Sequence, residues 1–385
     1  NFIIISMTSF SLCGLINIIR EDNINILFDT TMTYINNTLR DYNHKIKKEI
    51  DKDPILWEKT KKYINPYEYI NQPFNYNSQS VCSYKPISRS FFKMIEILNH
   101  YNFNFPSTIK SFHLAEGPGG FIEALSYFRN NKEDIYYGMT LIDNNPGIPK
   151  WKKNEKILNN TNVIIEYGQD NTGNLYNKIN LLYVYNKYKH SIDFITGDGG
   201  FDFSINFNNQ EENSLNLLFC QILFAICIQK KGGSFILKVF DTYSSLSIEL
   251  LYLLNYLYSE IYIIKPYTSR PANSEKYVVC LNFKMVDNID SIIYKMIHSF
   301  DKIDKNRITK LLNVEICNYF LDKIKEINSI FGQSQNEHIQ NILNIMYDNN
   351  KCINIENIKK NHISKCIKWC KKFKMPINNN ITDLY

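Results

Sequence analysis

Ala115-Glu116-Gly117-Pro118-Gly119-Gly120-Phe121 closes an apolar run, Ile109–Ala115, and opens a helical pattern, Gly120–Arg129. An apolar run that ends in a glycine turn and passes at once into a helix is a buried strand feeding a helix, with backbone N–H groups bared at the turn. Further apolar runs of strand length stand at Tyr136–Leu141, Val163–Tyr167, Ile192–Thr196, Ser234–Phe240, Ile261–Lys265 and Tyr277–Leu281. Helical patterns at Glu211–Gln229 and Ser245–Tyr258 lie between them, and another, about Ser88–Asn99, precedes the first strand. Strands alternating with helices predict an α/β fold whose largely parallel sheet is covered on both faces. The last two runs have no helix between them, which predicts a closing antiparallel hairpin.

The flanks read differently, and the chain divides into 1–80, 81–285 and 286–385. Residues 1–80 form a partly helical N-terminal extension: Asp41–Lys62 carries Lys and Glu at helical spacing, and Tyr63–Ser80, rich in Asn, Tyr and Pro, reads as loop. From Asp287 the pattern is helical with no strand signal, so 286–385 is expected to be a helical C-terminal extension that frays from about Pro376. The apolar stretch Phe2–Ile19 lacks a basic leader and a small-residue cleavage site, and Met7 is a candidate start. No other run approaches a membrane span, so a soluble protein without a membrane anchor is expected.

With 44% hydrophobic and 21% charged residues, the 385-residue chain can bury a sizeable core, which excludes a disordered protein. The net charge of +6 is compatible with a polyanionic partner and equally with solubility alone. Nine scattered cysteines with no CxxC pair point to a reducing, intracellular compartment. The spacing of Cys352, His362, Cys366 and Cys370 matches no common zinc module, so no metal is expected.

The glycine turn suggests a ligand. Its spacing is G-x-G-G rather than the G-x-G-x-x-G of dinucleotide sites, and Glu116 precedes the first glycine. This combination favours S-adenosylmethionine, with its carboxylate at the helix N-terminus, and disfavours a dinucleotide oxidoreductase; a ligand-free structural turn is the alternative. Thr140, Leu141 and Asp143 follow the second strand, where a ribose would be met. Asp170 and Asn174 lie in the turn after the third, either reading adenine or merely shaping the turn.

A second group carries chemistry. Asp198 ends the fourth strand, Lys238 lies near the end of the fifth, Glu275 precedes the seventh, and Lys93 is on the helix before the first. In a parallel sheet functional groups collect at the carboxyl ends of strands, so Asp198 and Lys238 should share an edge with the glycine turn. An amine in apolar surroundings beside a second cation can take a proton from a weakly acidic hydroxyl, while carboxylates hold it in aim. Lys238 is then the general base, oriented by Asp198, Lys93 and Glu275; a purely structural Lys–Asp ion pair is the other reading.

On these residues the chain resembles the FtsJ-like ribose 2′-O-methyltransferases, and among them the cap-specific mRNA branch of eukaryotes and large DNA viruses. Lys93, Asp198, Lys238 and Glu275 match that family's Lys-Asp-Lys-Glu tetrad in order, and Thr268–Glu275 looks like the cap branch in particular. The likeness covers about residues 80–285. It implies a Rossmann-like class I methyltransferase fold, with a seven-stranded, mostly parallel sheet containing one antiparallel strand. It also implies cap-1 type 2′-O-methylation of mRNA from S-adenosylmethionine held by Glu116, Gly117, Pro118, Gly119, Gly120, Phe121, Thr140, Leu141, Asp170, Asn174 and Asp198. Asn174 departs from the Asp common at that position. Lys85, Arg89, Ser269, Arg270 and Asn273 are candidate contacts to RNA. Capped mRNA is the implied partner, with other capping enzymes or RNA polymerase as candidates. The implied location is the nucleus or a cytoplasmic virus factory. An rRNA or tRNA 2′-O-methyltransferase, and a catalytically silent RNA-binding subunit of a capping complex, are the competing expectations.

Overall fold

The computed structural model describes residues 8–12, 14, 17–74, 79–143, 149–151, 160–200, 207–348 and 354–378. Met7, Cys13 and Cys352 lie outside the described residues. In chain order the strands are β1 (Thr8–Ser11), β2 (Ile24–Phe28), β3 (Lys110–Leu114), β4 (Ile135–Met139), β5 (Val163–Ile165), β6 (Ile192–Gly197), β7 (Gln229–Val239), β8 (Tyr258–Lys265), β9 (Lys276–Phe283) and β10 (Ile308–Leu312). The helices are α1 (Asn37–Lys48), α2 (Pro54–Thr60), α3 (Ser90–His100), α4 (Gly120–Arg129), α5 (Lys178–Tyr188), α6 (Gln210–Ile228), α7 (Ser245–Leu257), α8 (Ile289–His298), α9 (Asn318–Met346) and α10 (Ile355–Lys372).

The main sheet has the order β1-β8-β9-β7-β6-β3-β4-β5. The pairs β3–β4, β4–β5, β3–β6 and β6–β7 are parallel, and β9 runs antiparallel between β7 and β8. These are the expected seven strands. The eighth comes from the N-terminal extension: β1 pairs antiparallel with β8, Thr8 opposite Lys265. A second departure lies in the C-terminal extension, where β10 pairs with β2 in a separate two-stranded sheet. Its register is irregular and its run short, so periodicity alone did not reveal it. The chain end is also tied down as far as Asn378: Pro376 O accepts from Ser83 N at 3.0 Å, and Asn378 N donates to Val81 O at 3.1 Å.

Side-chain alternation divides the sheet between two cores. Phe194, Ile236, Tyr277 and Val279 face a cluster with α3, α4 and α10. Their neighbours Ile195, Phe235, Leu237 and Val278 face the larger cluster with α5 to α9. Beyond its polar first two turns helix α6 is apolar on nearly every face, Gln221 excepted, and it lies inside this second layer. It is long and apolar enough to cross a membrane, contrary to the expectation from the sequence, yet 83% of that window is buried in the fold. Cys366 and Cys370 are packed in the first core, and no described cysteine is disulfide-bonded.

Local chemistry sets the helix starts. Asp53 caps α2, accepting from Leu56 N at 2.9 Å, and Pro54 takes the first helical position. Trp57 of α2 packs with Ile339, Ile342 and Leu343 of α9, which brings the two extensions together beside the sheet.

Candidate active site

Strand order reverses between β3 and β6: one leads outward through β4 and β5, the other through β7. Crevices form at the carboxyl ends of such a pair. A cavity of about 1050 Å³ opens there, lined by Ala115 and Gly117 after β3, Asp198 after β6 and Lys238 on β7. Glu275, just before β9, lines it as well.

The tetrad meets as two ion pairs. Lys238 Nζ donates to Asp198 O at 2.7 Å and stands 3.2 Å from Asp198 Oδ1. Lys93 Nζ is 2.7 Å from Glu275 Oε1 and 2.8 Å from Oε2. Tyr277 OH donates to Asp198 Oδ1 at 3.2 Å, and Ser269 Oγ to Glu275 Oε1 at 2.7 Å. Burial alone would raise the Glu275 carboxyl, but the charges of Lys93 and Lys238 bring it down to about 2. Glu275 is therefore an anion at neutral pH. Lys93 is off the cavity wall and reaches the site through Glu275.

The glycine turn differs in one respect from the sequence expectation. Glu116 Oε1 accepts from Phe121 N at 2.8 Å and Ile122 N at 3.0 Å, so the helix N-terminus binds the chain's own carboxylate. Among the turn residues Gly117 lines the cavity; Glu116, Pro118, Gly119, Gly120 and Phe121 do not. Burial, with Asp198 nearby, pushes the Glu116 carboxyl up to about 8. A carboxyl raised above its ordinary 4.5 holds its proton more tightly when folded, so its ionisation erodes stability as pH climbs from about 4.5 to about 8. Glu116→Gln keeps an acceptor for both N–H groups and removes the buried charge. It should match or exceed the wild type in urea stability at pH 8 and flatten this pH dependence. Glu116→Ala, which leaves the cap unmade, should lose about 1–2 kcal/mol.

Beyond the turn the wall is formed by Thr140, Leu141, Gly173, Asn174, Leu175 and Tyr176. Two glycines keep it open and closely packed. A Cβ on Gly117 would come within 2.7 Å of Pro149 O and 2.9 Å of Thr140 Oγ1, and one on Gly173 within 1.9 Å of Thr140 O. Close backbone, a few polar groups and apolar Leu141, Leu175 and Tyr176 fit a nucleoside-bearing ligand such as S-adenosylmethionine. Asn174 is on the wall. Asp170 is not: it accepts from Thr172 N at 2.9 Å, Thr172 Oγ1 at 2.7 Å and Asn177 Nδ2 at 2.5 Å, and so shapes the turn.

The residues offered for RNA separate in the same way. Arg270 and Asn273 line the cavity; Lys85, Arg89 and Ser269 are turned to protein partners. Lys85 Nζ donates to Ser80 Oγ at 2.5 Å, and Arg89 Nη2 to Thr268 O at 2.8 Å. The sequence reading missed the opposite wall altogether, where α1, α2, the turn directly after α2, and α9 supply Lys47, Trp57, Glu58, Lys61, Gln335 and Ile342. Helical spacing in those segments reports a buried face but not what it is buried against.

Residues 86–283, just over half of the chain, match the FtsJ-like methyltransferase family model. The chain belongs to that family. Its FtsJ-like segment runs from the residues before α3 to the end of β9, and so holds all four tetrad positions. Among curated relatives, a Drosophila melanogaster protein named cap-specific mRNA (nucleoside-2′-O-)-methyltransferase 2 is 31% identical over 203 residues, 50% of this chain and 29% of that protein. A Leishmania braziliensis cap-specific mRNA (nucleoside-2′-O-)-methyltransferase 1 is 32% identical over 240 residues, 59% of this chain and 58% of that protein. A Danio rerio methyltransferase 2 of the same name is 27% identical over 318 residues, 78% of this chain and 42% of its own length. The chain thus spans between 29% and 58% of the length of these relatives.

Proposed function

We propose that this chain transfers a methyl group from S-adenosylmethionine to the ribose 2′-hydroxyl of a cap-proximal nucleotide of mRNA, with Lys238 as general base. The observation that carries the reading is the pairing of Lys238 with Asp198 on the wall of one cavity, beside the glycine turn and next to the Lys93–Glu275 pair. The names of the similar proteins support the choice of capped mRNA.

When bound against Gly117 and Asn174, S-adenosylmethionine supplies an electrophilic sulfonium methyl. The chain's own residues do the rest. In its neutral form, after its own ammonium proton has passed to solvent, Lys238 Nζ takes the proton that the hydroxyl gives up, which makes the oxygen a stronger nucleophile. Asp198 aims that amine from two oxygens, and Tyr277 holds the carboxylate in turn. Glu275 and Lys93, with side chains 12% exposed, form a dry, charge-balanced flank that keeps the reacting groups in one orientation.

A methyl-transfer assay with radiolabelled donor on capped and uncapped short RNA, followed by nuclease mapping, tests the reading. Label is expected on a 2′-O-methyl nucleotide next to the cap. Equal labelling of uncapped RNA would redirect the assignment to another RNA class.

A further inference from the structure

The cavity wall is unevenly neutralised, and this bears on how RNA is held; the inference rests on the reading of RNA as acceptor. Lys47 is 3% exposed and 2.5 Å from Asp241 Oδ2, Lys61 is 19% exposed and paired with Glu58, and Lys238 is 13% exposed and paired with Asp198. Among the described residues Arg270, at 33%, is the most exposed cation on the wall. Its counter-ion is the buried Glu68, which also serves Arg89.

Glu68 comes from the N-terminal extension, outside the family-matched residues, and its side chain is 4% exposed. It accepts from Arg270 Nη2 at 2.8 Å and Nε at 3.3 Å, from Arg89 Nη1 at 3.5 Å, and from Asn65 Nδ2. One carboxylate facing two guanidinium groups leaves one positive charge in excess. Arg89 is directed inward to Thr268 O, so Arg270 presents that excess to the cavity. Glu68 grips Arg270 along one edge of its planar fork. Among the described residues the opposite edge shows no hydrogen-bond partner, and a guanidinium edge matches two phosphate oxygens. Burial would raise the Glu68 carboxyl, but the hydrogen bonds from Arg270 and the charge of Arg89 bring it down to about 2, so the grip persists at neutral pH.

We propose that Glu68 is a positioning residue that fixes Arg270 to receive a backbone phosphate of the acceptor RNA. Charge alone and positioning make opposite forecasts for Glu68→Gln. Removing a negative charge beside a polyanion site would by itself tighten RNA binding. Loss of positioning weakens it. The measurement is titration of a fluorescent capped oligoribonucleotide at several salt concentrations, with S-adenosylmethionine affinity measured in parallel. The expected result for Glu68→Gln is an RNA Kd raised about tenfold, a salt slope shallower by roughly 0.7, and unchanged cofactor affinity. Arg270→Lys keeps the charge and Glu68 but loses the fork, and it should weaken RNA binding to a similar degree; it decides the matter should Glu68→Gln fail a thermal-melt check. An RNA Kd equal to or below the wild-type value in either variant overturns the proposal. Wild-type binding without methyl transfer would sink the enzymatic reading and leave the Glu68 test standing; no wild-type binding would sink both.

Discussion

Lys238→Ala is expected to lower methyl transfer by about 10²–10⁴-fold while cofactor binding survives, because the variant removes the group that takes the hydroxyl proton and leaves the glycine-turn side of the cavity intact. The competing role, a structural ion pair, forecasts the reverse pattern of lost stability with retained turnover. The surroundings of Asp198 separate the two. Its side chain is 20% exposed and keeps a hydrogen bond from Tyr277 OH at 3.2 Å, so stripping away the lysine leaves a carboxylate that is hydrated and partnered rather than stranded. Stability should therefore change little. Lys238→Met, closer in volume, should behave alike. Single-turnover methyl transfer, donor affinity and a urea melt on each variant check this. A variant that turns over at the wild-type rate would remove Lys238 from the chemistry.

Glu96→Ala is expected to produce the largest loss of stability, about 3 kcal/mol or more, together with reduced methyl transfer. Glu96 is fully buried on α3. Its carboxylate accepts from Tyr267 N at 2.5 Å, Thr268 N at 2.9 Å and Trp369 Nε1 at 3.0 Å. Alanine leaves those donors unpaired in the core, and each unmade buried bond costs about 1–3 kcal/mol. The loss should reach the active site because Glu96 ties together the segments that position it. Lys93 lies three residues earlier on the same helix face, the loop it grips leads on to Glu275, and Trp369 brings in the C-terminal α10. Burial raises the Glu96 carboxyl to about 7, so its proton is held more tightly in the folded state and wild-type stability should decline as pH rises from about 4.5 to about 7. Urea denaturation across that range, with turnover measured well below the melting temperature, checks both effects. Stability within about 1 kcal/mol of wild type with full activity would show that the three-way tie is dispensable.

The Ser269–Glu275 loop explains why part of the site was legible and part was not. Its chemistry-bearing residues stood out as a string, but what holds them came from far along the chain. Lys265 Nζ donates to Asn273 O at 2.6 Å, Asn273 Oδ1 at 2.9 Å and Glu275 O at 2.9 Å. Gln335 of α9 donates to Ala272 O at 3.0 Å, and Ser274 Oγ to Gln210 Oε1 at 2.6 Å. Nothing in the local pattern near residue 335 announces a loop partner more than sixty positions away. Glu116 makes the converse case. An acidic residue before a glycine turn looked like a ligand contact, yet the nearest unpaired donors were those of its own helix, and a tethered carboxylate reaches them at little entropic cost.

From the sequence alone came the alternation of strand and helix, the turn after β3, the closing antiparallel strand and the residue types at three strand-edge positions and one on the helix before β3. These depend on periods of two and 3.6 residues and on glycine, which are properties of neighbouring residues. Tertiary structure alone decided that β1 extends the sheet, that β2 and β10 pair, that α1, α2 and α9 wall the cavity, and that Arg89 and Arg270 share Glu68. Each of those joins segments far apart in the chain. Such contacts form only when the whole fold has brought both partners into place, so neither partner's local pattern carries a trace of the other.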